Sequence, residues 1–312
     1  VQSTSGRRDT SAALLASALG QDGAINGMSP TSIRYVDQLF AGIGNGTGGA
    51  IYANSYGPYD VRRYGAIGDG NSHPVSQWLE GGPRNRGYAD LTAIRGDYPH
   101  VRALTDEIDW AALQAAVDEA ERDGGGVVSA PGGVFVLNRT VWFPETSNNV
   151  QTRAQNADQG TPQRGVSFAG AGEGATFLWW KSDLGVGQYA FNCRNRETTG
   201  HGSVGFWRDF SAVGPGTNVQ MGTYNCGMSG LGWGSRRHVA NVATVNFRYG
   251  MSIIGDQGLF QRYSSHACFY GIYFDRMNPI LFGDHQFDKC VLHGRMAGVG
   301  IHPTADMPKG LW

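Results

Sequence analysis

Residues Asp109 to Leu137 limit the possible folds of this chain of 312 residues more than any other stretch. A segment rich in alanine, Asp109 to Asp123, runs into Gly124-Gly125-Gly126, and then Val127-Val128-Ser129-Ala130, Pro131-Gly132-Gly133 and Val134-Phe135-Val136-Leu137 follow. Leu113, Ala116, Val117 and Ala120 recur at i, i+3, i+4 and i+7, which predicts a helix with one apolar stripe. That stripe needs another surface to cover it. Asp109 stands where a carboxylate accepts from the free N–H groups of the first turn. The three glycines stop the helix, because glycine takes the left-handed conformation at little cost and leaves too much backbone freedom for the helix to continue. The two apolar runs beyond them read as strands across a tight turn.

Glycine makes up 48 residues, about twice the usual ~7%, so many tight turns are expected. The net charge is −1 with no block of like charges, and nucleic acid or an anionic membrane is therefore not an expected partner. No run of 18 apolar residues predicts membrane insertion, and no leader peptide is visible ahead of the first candidate helix. A weakly charged surface bearing aromatic residues suits neutral or mildly acidic sugars. Cys193, Cys226, Cys268 and Cys290 show no Cys-x-x-Cys spacing, so neither a metal site nor a disulfide framework is expected, and no cofactor is implied.

The second half repeats. Gly250-Met251-Ser252-Ile253 and Gly271-Ile272-Tyr273-Phe274 lie 21 residues apart, and Cys268 and Cys290 lie 22 apart. Both spacings fit one turn of a solenoid whose coils hold three short strands, which predicts Cys268 and Cys290 as neighbours in an interior ladder. Phe206 to Phe210, Val239 to Phe247 and Phe287 to Ile301 show similar short alternating runs.

Other segments do not follow this pattern. Residues 1–62 hold two candidate helices, Asp9 to Leu19 and one starting at Ser29-Pro30, followed by a glycine-rich linker from Gly42 to Gly49 and a turn at Tyr56 to Tyr59. Each helix is too short to stand alone, and an attachment and oligomerisation module is expected there. The insertion Asn71 to Glu107 is too aromatic to be disordered; it is expected to pack beside the first coils, with His73 and His100 structural. Ser147 to Gln163 reads as a solvated loop. After the Pro303 to Pro308 loop no closing helix is evident, which leaves a strand edge to be covered by further chain or a partner.

The phrase Arg63-Tyr64-Gly65-Ala66-Ile67-Gly68-Asp69-Gly70, the helix ending in Gly-Gly-Gly and the strand-Pro-Gly-strand unit resemble the N-terminal signature of the pectate-lyase-like right-handed parallel β-helix superfamily. That superfamily includes pectin-degrading enzymes and many bacteriophage tailspikes. Gly165 to Leu178 resembles its next coil. The resemblance implies an all-β solenoid, a right-handed parallel β-helix over 63–312 with an N-terminal capping helix, preceded by a small helical module over 1–62.

Polysaccharide hydrolysis needs two carboxylates flanking the scissile bond, about 5 to 9.5 Å apart, and a lyase needs a base and a group that neutralises the uronate. Asp256 and Asp284 each follow an apolar strand and a glycine, and with Asp288 they are the candidate catalytic residues; Asp275, His285 and His293 lie close in sequence. A turn aspartate after glycine also serves plain loop hydrogen bonding. The superfamily's catalytic phrases Asn-Thr-Asp, Asp-Asp and Arg-Ile-Lys are missing, so none of its machinery transfers to a residue here. Trp179, Trp180, Trp207 and Tyr273 are the candidate carbohydrate-binding residues; Trp179 and Trp180 cannot both point inward from one strand. The expected function is a tailspike or receptor-binding protein on the surface of a phage or phage-like particle. It would form a homotrimer, contact tail or baseplate proteins through 1–62, and bind or depolymerise cell-surface polysaccharide. The alternatives are a secreted polysaccharide lyase or glycoside hydrolase and a non-catalytic adhesive β-helix, since one fold hosts all three.

Overall fold

The computed structural model describes residues 56–143, 165–192, 205–216, 226–233, 237–253, 258–274 and 286–301. The chain divides into two units, Val1–Ser55 and Tyr56–Trp312. The first unit, with both candidate helices, lies outside the described residues, as do Ser147 to Gln163 and the segment after Ile301. Tyr56 to Arg62 belong to the second unit rather than to a linker: Val61 is buried, and Asp60 bridges in parallel to Ser129.

Six coils make up the described solenoid. The first contains β1 (Gly126–Ser129), β2 (Gly133–Leu137) and β3 (Val141–Trp142), and the second β4 (Val166–Ala169), β5 (Thr176–Trp180) and β6 (Tyr189–Asn192). The third contains β7 (Gly205–Val213) and β8 (Ser229–Trp233), and the fourth β9 (Arg237–Val245) and β10 (Tyr249–Ile253). The fifth is the single long β11 (Leu259–Phe274), and the sixth holds β12 (Gln286–Asp288) and β13 (Val291–Ile301). Every strand pair is parallel and joins equivalent positions of adjacent coils, which generates three faces. Sheet A stacks β1, β4, the first halves of β7 and β9, the start of β11 and β12. Sheet B stacks β2, β5, the second halves of β7 and β9, the middle of β11 and the start of β13. Sheet C stacks β3, β6, β8, β10 and the ends of β11 and β13. The expected parallel β-helix is therefore the fold. One detail differs, because β1 and β2 do not pair with each other across Pro131-Gly132-Gly133. They are successive sides of one coil, and each finds its partner a coil away.

Long strands cross from sheet to sheet because a single left-handed residue turns the chain. Asp209, Asn241, Arg262 and Lys289, with φ of 62°, 50°, 49° and 53°, occupy the corner between sheets A and B. Asn246 and Ala267, with φ of 63° and 52°, do the same between sheets B and C.

The registers build the core. Phe168, Trp207 and Val239 are equivalent in sheet A, and Phe191, Leu231, Met251 and Ile272 in sheet C; all have 0% exposure. Gly250 and Gly271 are needed where they stand, since a Cβ on either would fall within 2.7 Å of the carbonyl oxygen of the next coil's glycine. The 21-residue repeat holds, with Met251 opposite Ile272 and Ile253 opposite Phe274. The cysteine ladder does not form. Tyr270 pairs with Ala297, a step of 27 residues, so the sixth coil is longer than the repeat and Cys268 faces Gly294 instead of Cys290.

Two helices complete the start of the solenoid: α1 (Leu91–Asp97) in the insertion and α2 (Ile108–Arg122) over the first coil. Helix α2 ends where Gly124 and Gly125 turn left-handed, at φ of 102° and 109°. Its N-cap is Glu107 and not Asp109. Asp109 instead accepts from the N–H groups of Ile67 (2.6 Å), Gly68 (3.3 Å) and Val136 (2.9 Å), since its carboxylate points away from the helix into the open first coil. Gln114 accepts from Trp142 N–H at 2.8 Å and donates to Trp142 O at 2.9 Å, taking the place of a neighbouring strand. Ser129 donates to Tyr59 O, and Val134 donates to Gly68 O. An edge that would otherwise invite pairing is thus satisfied on all three faces. The insertion packs beside it through Val75, Trp78, Ile94, Tyr98 and Val101, all buried in the same core. His73 lies between Asp69 and Gln77, and His100 between Ala111 O and Asp118, both as structural contacts.

Candidate functional site

A solenoid offers its outer faces to partners, and the three faces here differ in what covers them. On sheet B the loop from Gly170 to Ala175 reaches over the third to fifth coils. Ser211 donates to Glu173 O, and Ser264 donates to Glu173 Oε1 at 3.2 Å. Ser211 and Ala243 beneath are only 5% and 4% exposed, so this part of sheet B is closed.

Sheet C carries an aromatic platform. Tyr249 and Tyr270 are equivalent in adjacent coils, and the Tyr249 ring stacks on Tyr273 with centroids 4.0 Å apart and planes 9° apart. Tyr270 lies 5.9 Å from Tyr249 and 5.7 Å from Tyr273, and Phe269 meets Tyr270 edge-on at 5.0 Å. All three tyrosines are half-buried. Gly300, opposite Tyr273, gives the rings their room: a Cβ there would come within 2.7 Å of Tyr270 and 2.9 Å of Tyr273. Arg248 places its guanidinium 5.3 Å from the Tyr249 centroid. Ring faces of this kind take the C–H face of a sugar, while phenol and guanidinium groups serve its hydroxyls.

Sheet A exposes Val127 and Phe287, and its corner with sheet B carries charged and amide side chains. Arg208 lies over Phe206 at 4.9 Å and beside Asp209 at 3.5 Å; Asn241 donates to Asp209 at 2.9 Å; His238 and Gln261 are 2.9 Å apart. Asp288, opposite Gln261, is exposed. Asp209 and Asp288 are three coils apart, about 14 Å at 4.7–4.9 Å per coil, which is too far for two carboxylates to flank one glycosidic bond. Asp256 and Asp284, with Asp275 and His285, lie outside the described residues. His293 is exposed, its ring 5.8 Å from His266.

The aromatic candidates separate by face. Trp180 and Trp207 have 0% exposure and belong to the core, which corrects their expected carbohydrate role. Trp207 continues the ladder of Phe168 and Val239, and Trp180 donates its indole N–H to Arg139 O at 2.9 Å; no glycan reaches either ring. Trp179 is half-buried, with Lys181 Nζ 4.6 Å from its ring centroid and tied to Gly70 O at 3.0 Å. Tyr273 is the candidate that joins a cluster. Its partners Tyr249 and Arg248 escaped sequence reasoning, although tyrosine precedes the repeated glycine in both copies, Tyr249-Gly250 and Tyr270-Gly271.

Burial pushes the Cys268 thiol up to about 12, and burial with the nearby Asp183 carboxylate pushes Cys226 up to about 11, so neither serves as a nucleophile near neutral pH. Among the described residues no group of three or more His, Cys, Asp or Glu side chains is arranged to hold a metal ion.

No protein-family model and no curated protein sequence matches the chain. Among solved structures it is similar to the tailspike protein gp49 from Pseudomonas phage LKA1, at 18% identity and a TM-score of 0.44, over 79% of this chain and 49% of that one. It is similar to ORF18 of Geobacillus virus E2 at 15% identity and a TM-score of 0.42, over 79% and 43%. A third is PfbA, a surface adhesin of Streptococcus pneumoniae, at 16% identity and a TM-score of 0.38, over 68% and 38%. The chain covers less than half the length of each of these three.

Proposed function

We propose that this chain binds a surface polysaccharide through the outer face of sheet C and serves as a tailspike or receptor-binding protein of a phage or phage-like particle. The observation that supports binding is the stacked Tyr249–Tyr273 pair with Tyr270 and Arg248 beside it. Rigid aromatic faces contribute contact area at small entropic cost, because the fold has already ordered them. The particle role rests on the resemblance of Arg63 to Leu137 to a superfamily that includes tailspikes, on the expected attachment module over 1–62 and on the lack of that superfamily's catalytic phrases. Homotrimer formation, contact with tail or baseplate proteins and a place on the virion surface belong to the same proposal.

The test is retention on immobilised host capsule or lipopolysaccharide. Tyr249→Ala with Tyr273→Ala is expected to lower affinity at least tenfold with the melting temperature nearly unchanged, while the paired Phe variant keeps most of it. Equal retention by wild type and the Ala pair would sink the platform assignment. Depolymerisation is read separately, from new reducing ends for a hydrolase or ultraviolet-absorbing unsaturated ends for a lyase, and their loss in Asp256→Asn, Asp284→Asn or Asp288→Asn would name the residue. Binding with neither product across a broad glycan panel assigns a non-catalytic adhesin.

A further inference from the structure

The corner between sheets A and B has a feature the tyrosine platform does not use. Its third and fourth coils place Asp209 and Asn241 in the left-handed conformation, at φ of 62° and 50°. Such short polar side chains tolerate that backbone. The fifth and sixth coils place Arg262 and Lys289 there instead, at φ of 49° and 53°. A long cation makes the turn no better than Asn241 does one coil earlier, and both cations are exposed, so neither is held by burial in the core. The pairing of Gln261 with Asp288 sets the two one coil apart, about 4.8 Å along the axis. Among the described residues neither side chain has an ion-pair partner; Asp288 is the adjacent carboxylate in sequence. Beyond Asn241, Arg208 lies at the far end of the corner with 54% of its side chain exposed, beside Asp209.

We propose that this corner is a second binding surface, an anion-binding ledge on which a linear acidic polymer lies along the solenoid axis. Arg262 and Lys289 take anionic groups on successive repeats, and Arg208 takes one further along. A lone exposed cation holds an anion weakly in water, but a rigid row of them meets a polymer as a multivalent partner, each contact raising the effective concentration for the next. The guanidinium donates to a carboxylate or to a phosphate group equally well, since both offer two oxygens to its fork. The ledge goes beyond the sheet C reading and does not rest on it: it uses a face remote in register from the tyrosines, and its ligand is separate from the polysaccharide assigned to them.

The experiment uses the full chain with polygalacturonate, inorganic polyphosphate and neutral dextran as probes, at low and at physiological salt. The variants are Arg262→Asn with Lys289→Asn, which installs the residue this corner already uses at Asn241, and the Tyr249→Ala and Tyr273→Ala pair. Wild type is expected to bind at least one anionic polymer ten times more tightly than dextran, with affinity falling as salt rises. The double Asn variant is expected to lose at least fivefold of that affinity while keeping its melting temperature and its retention on host polysaccharide. Preference for polygalacturonate assigns carboxylates as the ligand groups, and preference for polyphosphate assigns phosphate oxyanions. Anionic binding unchanged in the double Asn variant, or no anionic binding by wild type, overturns the ledge. Loss confined to the tyrosine pair likewise overturns it and leaves the sheet C reading standing.

Discussion

A buried carboxylate that faces three backbone N–H groups and no cation is pulled in two directions. Asp109 is 2% exposed, and desolvation raises its pKa, opposed by hydrogen bonds from Ile67, Val136 and Gly68. With the folded value above the unfolded value of about 3.9, the ionised form is penalised in the folded state, and that penalty is relieved as pH falls through the folded value. In Asp109→Asn the amide oxygen still accepts, but its NH2 group meets a backbone donor, and a buried donor left unpaired costs about 1–3 kcal/mol. The variant is therefore expected to be less stable at pH 7, and the wild type should gain on it further as pH drops towards 4. Urea midpoints at several pH values read the difference; a gap that does not change with pH would refute the account. The left-handed corners are also residue-scale devices: Asp209, Asn241 and Asn246 adopt that backbone readily, while Arg262, Ala267 and Lys289 each store roughly 1–3 kcal/mol of backbone strain that their coil contacts hold in place.

At the scale of elements, helix α2 is a plug as much as a cover. Its side chains complete the hydrogen bonding of the first coil: Gln114 acts on both backbone groups of Trp142, and Trp110 donates to Thr140 O at 3.0 Å. Gln114→Ala leaves a partly buried N–H and C=O without partners, and a loss of about 2–4 kcal/mol is expected from two such groups. Gln114→Glu restores only the acceptor and should fall between the two. Chemical denaturation measures both, and an Ala variant as stable as wild type would show that water replaces the glutamine. The strands of the coils needed no such device, because each one pairs with its own repeat.

For the molecule as a whole, the solenoid from Tyr56 onward owns its core, its cap and its first edge. Deleting residues 1–55 is expected to leave the melting temperature of that unit within a few degrees and the proposed glycan binding intact, while abolishing incorporation into the phage or phage-like particle proposed for it. Incorporation of the truncated chain would refute the attachment role of the N-terminal module. The outer faces divide the same way: sheet B is partly closed by its own loop, which leaves sheet C and the corner of sheet A as the proposed binding surfaces.

The amino-acid order by itself determined what depends on neighbours along the chain. Glycines at Gly124 and Gly125 end a helix wherever they occur, alternation forces Trp179 and Trp180 to opposite sides, and the 21-residue repeat at Gly250 and Gly271 reports one coil. Alternation says that two residues face oppositely but not which of them faces in, so Trp207 was legible as an aromatic on a strand and not as core. The step between coils varies as well, from 20 residues between Leu231 and Met251 to 50 between Val141 and Phe191, so spacing alone misplaced Cys290. Only the stacked coils decided those registers, turned Asp109 from a helix cap into a staple, and gathered Tyr249, Tyr270 and Tyr273 on one face, because each is a contact between segments that the chain keeps apart.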